Sequence, residues 1–388
     1  MPFSFGEKSS LLLVFFVHAL VLAVLLAWHY RQHRQGGSGW LAFFALLGAL
    51  YVAPFMLGYA GWYSLSGYRQ VLFYLPLQQV LLIGPVLFFY VRHLLEPQTR
   101  WQRQSGRHFV PALVYLAYTL AAWLADAFWP GNSLGYANGR DKDFDLWYQV
   151  LGLISQAFYF GLSLRYYLRY RRLTFQTLSY ADAVQYRWLA RFLVAFLLML
   201  LLRVLFFILN PEWGEFGAKF WYYLCFSGLL YGVLTMGFAH AWRMSGSIWP
   251  ASFTPIPALA QEPTESTKPI NPEELSEDLE RLDGYMLREQ AYLNPTLTLT
   301  DVAQGLDSTP KQVSALINQG LHMNFNDYVN GLRVAALIIR LENGEHEQLT
   351  LLGLALDCGF NSKSTFNRAF KKHQGITPKE YLHKQMSK

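Results

Sequence analysis

Residues 297–319 read LTLTDVAQGLDSTPKQVSALINQ, and residues 349–378 read LTLLGLALDCGFNSKSTFNRAFKKHQGITP. Each stretch spells helix, tight turn, helix. In the first, Thr298 and Asp301 have the spacing of a capping box, in which a hydroxyl and an acid three residues on satisfy each other's orphan amides. Val302 and Leu306 then line one face, and Ala303 is small enough for close helix contact. A second start follows at once, with Thr309 as cap, Pro310 in the first helical position and Gln312 closing the box. Val313, Leu316 and Ile317 point inward.

The second stretch repeats the plan. Leu351, Leu354 and Ala355 form its first helix, Cys358-Gly359-Phe360 its turn and Ser362 its cap, with Phe366 and Phe370 four apart on the buried face. Lys363, Ser364, Asn367 and Arg368 remain on the outer face, with Lys371 and Lys372 one turn on. A helix that presents short polar and basic side chains near its N-terminus, braced by another across a tight turn, has the geometry that enters a DNA major groove. Arg368 and Asn367 suit the bidentate contacts that tell guanine from adenine. Together with Lys311, Gln312 and Ser314 of the first stretch, these residues are the candidate DNA-binding set.

The tract GFNSKSTFNRAFKKHQGITPKEY, with YLNPTLTLTDVA upstream and FNDYVNGLRV between, resembles the AraC/XylS-type DNA-binding domain over roughly residues 271 to 382. The resemblance implies two helix-turn-helix units joined by a long helix, about Asn326–Leu341, reading adjacent major-groove turns of bacterial promoter DNA. It also implies RNA polymerase as a partner, with activation or repression as the output. The first unit departs from the pattern. Asp307 stands where a glycine is usual, Ser308 where an apolar residue is usual, and Ala315 where an arginine is common.

The rest of the 388-residue chain is of another kind. Over the whole chain hydrophobic residues make up 53% and charged ones only 15%, which is unlike an ordinary soluble protein. The apolar residues concentrate before residue 243 in seven runs: Leu11–Tyr30, Trp40–Ala60, Val71–Val91, Phe109–Trp129, Leu146–Leu168, Phe192–Leu209 and Phe220–Trp242. Each is near the ~20 residues that a helix needs to cross a hydrocarbon core. Trp and Tyr gather at their ends, as at a bilayer interface. The leader, MPFSFGEKSS, lacks a signal-peptide pattern, so the first run is expected to stay.

Arginine sets the orientation. The first, third and fifth connections hold Arg31 and Arg34, then Arg92, Arg100, Arg103 and Arg107, then Arg165, Arg169, Arg171, Arg172, Arg187 and Arg191. The even connections hold only Arg69, then Arg140 and Lys142 among Asp141, Asp143 and Asp145, then Lys219 beside Glu212 and Glu215. Positive residues stay inside, so the N-terminus is expected outside and the C-terminus in the cytoplasm of a bacterial inner membrane. From Gly359 onward seven Lys and Arg residues face Glu380 alone, a phosphate-facing footprint.

The expected architecture is all-α. A polytopic seven-helix transmembrane bundle occupies residues 1–243, a Pro/Ser/Thr-rich tether 244–270, and a double helix-turn-helix domain 271–388. Leu275, Leu279, Leu282 and Met286 repeat at four-three-four spacing, as a homodimer seam or as a helix packed on its own domain. Acidic residues from Glu273 to Asp283 are a candidate docking face for the basic stretch Arg165–Arg172. Intramembrane polar groups are where a small-molecule or envelope signal would act, and Arg203, Asp126 and His18 are the candidates.

Cys225 and Cys358 argue against a structural disulfide, and no Cys/His set has zinc spacing. No phosphate loop, nucleophile elbow or HExxH is present, so neither an enzyme nor a cofactor is expected. The reading is a membrane-anchored transcription regulator with promoter DNA and the lipid bilayer as partners. Its alternative is a transporter or membrane enzyme with a fused regulatory domain.

Overall fold

A computed structural model describes residues 4–96, 103–128, 142–181, 187–209, 218–246 and 272–386. The expected tether over 247–270, Trp129 and the loop charges Arg100, Arg140, Asp141, Glu212 and Glu215 lie outside the described residues. Among those described, the structure is helical with no named strand. The chain divides into two compact units: Met1–Tyr167 with Tyr186–Pro255, and Leu168–Gln185 with Ile256–Lys388.

The first unit is built from α1 (Glu7–His33), α2 (Gly36–Tyr59), α3 (Ser66–Tyr74), α4 (Val80–Leu95), α5 (Val110–Phe128), the first part of α6 (Leu146–Thr177), α7 (Arg187–Val204) and α8 (Lys219–Gly246). α2 is its central helix, packed against α1, α4 and α8. Small residues set the close approaches. A Cβ on Gly48 would stand 2.5 Å from the Leu230 side chain, and one on Gly152 would stand 2.4 Å from Val80. Such contacts hold helices together where the surroundings are as apolar as the side chains. Large aliphatics face outward instead, including Val24 (67% exposed) and Val114 (62%).

Among the described residues, five helical stretches are long and apolar enough to cross a bilayer: Glu7–His33, Gly36–Tyr59, Gln104–Asp126, Trp188–Ile208 and Lys219–Arg243. The other two runs differ from expectation for physical reasons. The third is split. α3 ends before Pro76, which has no amide to donate and forces the residue ahead of it into extended backbone, as at Leu75. α4 resumes at Val80 and is only 16 residues long. The fifth run becomes the 32-residue α6, whose second half carries Arg165, Arg169, Arg171 and Arg172. Lys142 and Asp143, read above as loop charges, are fully buried as an ion pair 3.5 Å apart.

The second unit holds α9 (Pro272–Arg288), α10 (Leu299–Gly305), α11 (Pro310–Gly320), α12 (Phe325–Glu342), α13 (Leu351–Asp357), α14 (Lys363–Gln374) and α15 (Pro378–Met386). It has two cores. Leu282, Met286, Val302, Val313 and Ile317 close over the N-terminal half of α12 at Phe325 and Val329. Leu354, Phe360, Phe366 and Phe370 close over its C-terminal half at Leu337 and Leu341. One 18-residue rod therefore carries both helix-turn-helix pairs. Leu282 and Met286 are completely buried in the first core, with Leu275 and Leu279 packed against it. The four-three-four seam is spent inside the domain rather than offered to a second copy.

Candidate nucleic-acid interface

Both pairs are set by their caps. The Thr298 hydroxyl accepts from the Asp301 amide at 3.2 Å, and the Asp301 carboxylate accepts from the Thr298 amide at 2.8 Å. Thr309 and Gln312 make the same reciprocal box at 3.3 and 3.1 Å, and the Ser362 hydroxyl accepts from the Thr365 amide at 3.2 Å. The turns between helices share one motif, in which an amide reaches back five residues: Ser308 to the Ala303 carbonyl at 2.8 Å and Phe360 to the Ala355 carbonyl at 3.1 Å. The motif needs a left-handed residue just before that amide. Asp307 supplies it in the first turn at φ 49° and Gly359 in the second at φ 91°.

On α14 the outer face is as expected. Lys363, Ser364, Asn367, Arg368, Lys371 and Lys372 are all exposed, while Phe366 and Phe370 fill the core. The Lys372 ammonium lies 2.6 Å from the Asp327 carboxylate of α12, which fixes one end of the basic row. Arg368 lines a cleft of about 680 Å³ that also takes in Arg171 and Arg172 from the end of α6. Burial, then the charge of Arg171, pulls the Arg368 guanidinium below the usual arginine range.

The first unit is poorer. Lys311 is exposed, and Ala315 is buried. Ser314 accepts from the Asn318 side chain at 3.2 Å. The side-chain oxygen of Gln312 accepts from the Thr309 amide, the Thr309 hydroxyl and the Ser308 hydroxyl. Only its amide nitrogen is left over, so it cannot make the donor-plus-acceptor contact that reads adenine while its cap is closed.

Arg333 was not among the sequence candidates, yet it is the largest fully buried side chain among the described residues. Its guanidinium donates to the carbonyls of Tyr292 (2.8 Å) and Asn294 (2.7 Å) and to the Ser179 hydroxyl (3.2 Å) and carbonyl (3.4 Å). The Asn326 amide donates to the Ser179 carbonyl at 2.8 Å, and the Ser179 amide donates to the Leu297 carbonyl at 3.1 Å. Leu178 and Thr298 form an isolated antiparallel bridge. The segment after α6 is thus part of the helix-turn-helix unit. Ser179 is held by the Asn326 and Arg333 side chains of α12, which donate to it, and by the Leu297 carbonyl, which accepts from its amide. Glu277, Asp278 and Glu280 of α9 are exposed. The available signal was a polar stripe, Asn326, Asn330 and Arg333, at the four-three spacing where apolar residues belong.

The three membrane candidates bond to different partners. His18 is exposed and its Nδ1 sits 2.7 Å from the Val14 carbonyl. Asp126 accepts from the Tyr74 hydroxyl. Arg203 does not extend to the surface; it is 5% exposed and bonded to Gln149 and Gln156.

Residues 302–384 match the family model described as a helix-turn-helix domain. Among curated proteins, the chain is similar to three regulators. It is 29% identical over 94 residues to YkgA of Escherichia coli, whose name places it with the HTH-type transcriptional regulators, covering 24% of this chain and 37% of that one. It is 36% identical over 90 residues to YpdC of Escherichia coli, an uncharacterized HTH-type transcriptional regulator, covering 23% and 30%. It is 29% identical over 126 residues to the transcriptional activator RhrA of Rhizobium meliloti, covering 32% and 38%. The chain thus spans only about a third of the length of the relatives it matches. No solved structure matches it. The C-terminal unit carries an AraC-type helix-turn-helix domain.

Proposed function

We propose that this protein is a membrane-anchored transcription regulator that binds promoter DNA through α14, with α11 in support, and takes its signal through the helices of the first unit. The observation that carries the reading is the exposed row Lys363, Ser364, Asn367, Arg368 and Lys371 on a capped helix, in one chain whose described residues include five helices of bilayer-crossing length. Arg368 and Asn367 read bases; Lys363, Lys371 and Lys311 contact phosphates. The domain works at the inner face of a bacterial cytoplasmic membrane, as the arginine distribution supports.

A regulator needs its signal to favour one of two arrangements. The segment 168–181, which continues α6 and is gripped by Asn326 and Arg333, is the coupling element. It binds the helix-turn-helix unit by backbone and buried side-chain bonds, so a change in α6 is felt without passing through the tether.

Chromatin pulldown with sequencing tests the reading, using the full chain beside an Arg368→Ala chain at matched membrane level. Discrete promoter peaks that vanish in the variant are expected. Peaks that survive unchanged, or a chain recovered only in the soluble fraction, would refute it. Ser179→Pro tests the coupling, because it removes the amide bonded to Leu297. It should uncouple promoter occupancy from the inducing condition, and an intact response would reject this segment as the link.

A further inference from the structure

In water an arginine is fully solvated; inside a helix bundle its charge needs a counter-charge. Among the described residues, Arg203 on α7 has only neutral partners. Its Nη2 donates to the Gln149 carbonyl at 2.9 Å and to the Gln149 side-chain oxygen at 2.5 Å, and its Nη1 donates to the Gln156 side-chain oxygen at 3.3 Å. These oxygens take three of the five guanidinium N–H groups and leave the charge standing.

The nearby carboxylate is already committed. Asp143 pairs with Lys142 and accepts from the Tyr115 hydroxyl at 2.6 Å and the Gln78 amide at 3.0 Å. Gln149 stands between the two groups, its amide nitrogen donating to the Asp143 carbonyl and to Gln78 while its oxygen takes Arg203. Asp143 is thus paired with Lys142, and Arg203 meets neutral groups alone among the described residues.

Arg203 lines a small cavity of about 20 Å³ with Gln156, Tyr51, Tyr222, Phe196 and Phe226. That is room for one species the size of a water molecule or a halide. Tyr51 and Tyr222 bond to each other through their hydroxyls at 2.9 Å. One of their two hydroxyl hydrogens closes that pair and the other remains to donate. The ring edges of Phe196 and Phe226 carry partial positive charge. Directly after Arg203 the helix widens to a π turn over Leu205–Leu209, a departure often found at binding sites. A guanidinium, a spare hydroxyl hydrogen and aromatic walls around a halide-sized space are donors without an acceptor.

We propose that this cavity binds a compact monoanion of halide size, with Arg203 as its counter-charge. The proposal deepens the sensing half of the proposed function and rests on it only for its role. Binding is tested on the full chain without DNA, so its failure leaves promoter binding untouched, and failure of promoter binding leaves the anion site standing.

The experiment is thermal unfolding of the purified full chain in detergent micelles at constant ionic strength, with gluconate replaced stepwise by chloride, bromide or sulfate. Chloride and bromide should raise the midpoint in a saturable way, by about 4 °C at a hundredfold excess over Kd, while sulfate does nothing. Arg203→Gln, which keeps polar contacts and loses the charge, should show no anion dependence. A midpoint indifferent to chloride, equally raised by sulfate, or raised as much in the variant would overturn the proposal. Should Arg203→Gln not fold, chloride-35 line broadening on the unaltered chain decides. One saturable site per chain, displaced by bromide and not by gluconate, is expected; non-saturable broadening would end the idea.

Discussion

The two helix-turn-helix units close the same backbone turn with different chemistry. In the second, Gly359 takes the left-handed position and Phe360 follows it into the core, with Cys358 buried behind. In the first, Asp307 takes that position and Ser308 follows, half exposed and bonded to Gln312. The outer faces differ in the same direction: a row of cations on α14, and Lys311 beside a buried Ala315 on α11. Caps and turn bonds therefore fix the shape of such a unit, while its anchoring and its ability to read bases rest on separate residues.

The largest effect should come from Gly359→Ala. The added Cβ would stand 2.6 Å from the Tyr292 carbonyl oxygen and 2.8 Å from that of Leu293, at a φ unfavourable to any side chain. A loss of about 3 kcal/mol is expected by denaturant unfolding, and a loss no larger than that of Asp307→Ala would erase the distinction between the turns. Next comes Arg368→Ala, which should cost about 1–3 kcal/mol of discrimination at one base pair. Lys311→Ala should instead weaken binding to all duplexes alike and lower the salt slope by about 1. Titrations on matched and mismatched duplexes separate the two, and equal behaviour would mean that both units read alike.

A smaller effect of opposite sign is expected from Asp307→Gly, a gain of about 0.5–1 kcal/mol as the left-handed strain is relieved. The smallest concerns pH. Burial first, and then the Lys372 charge, lowers the His373 pKa below 6.5 against the opposing pull of Asp327. The folded state prefers the neutral ring, so this contribution is fully present above pH 6.5 and is lost as pH falls through the folded value. Unfolding midpoints between pH 7.5 and 5 should decline less in His373→Gln than in the unaltered chain.

Local signals were readable because they are short-range. The capping pairs at Thr298, Thr309 and Ser362, the turn at Cys358–Phe360 and the inward Phe366 and Phe370 each follow from residues three or four apart, and each is where the sequence places it. Helix α12, expected over 326–341, runs from Phe325 to Glu342. The break in the third apolar run was foreshadowed by Pro76, while Pro85 is absorbed within α4. What escaped were buried polar contacts between distant segments. Nothing near Ser179 announces that it meets Arg333, 154 positions on. Nothing near Arg203 says that Gln149 and Gln156 will fold over it, and hydropathy alone would send that side chain to the surface.

The Arg333 cradle also constrains how the chain can be made. Ser179 emerges from the ribosome long before Arg333, so it must wait, unsatisfied, through the synthesis of everything between. A truncated protein beginning at Pro272 keeps the Tyr292 and Asn294 carbonyls but lacks Ser179 altogether. Its Arg333 and Asn326 would hold an open socket, and a synthetic peptide copying residues 168–181 is the plug that fits it.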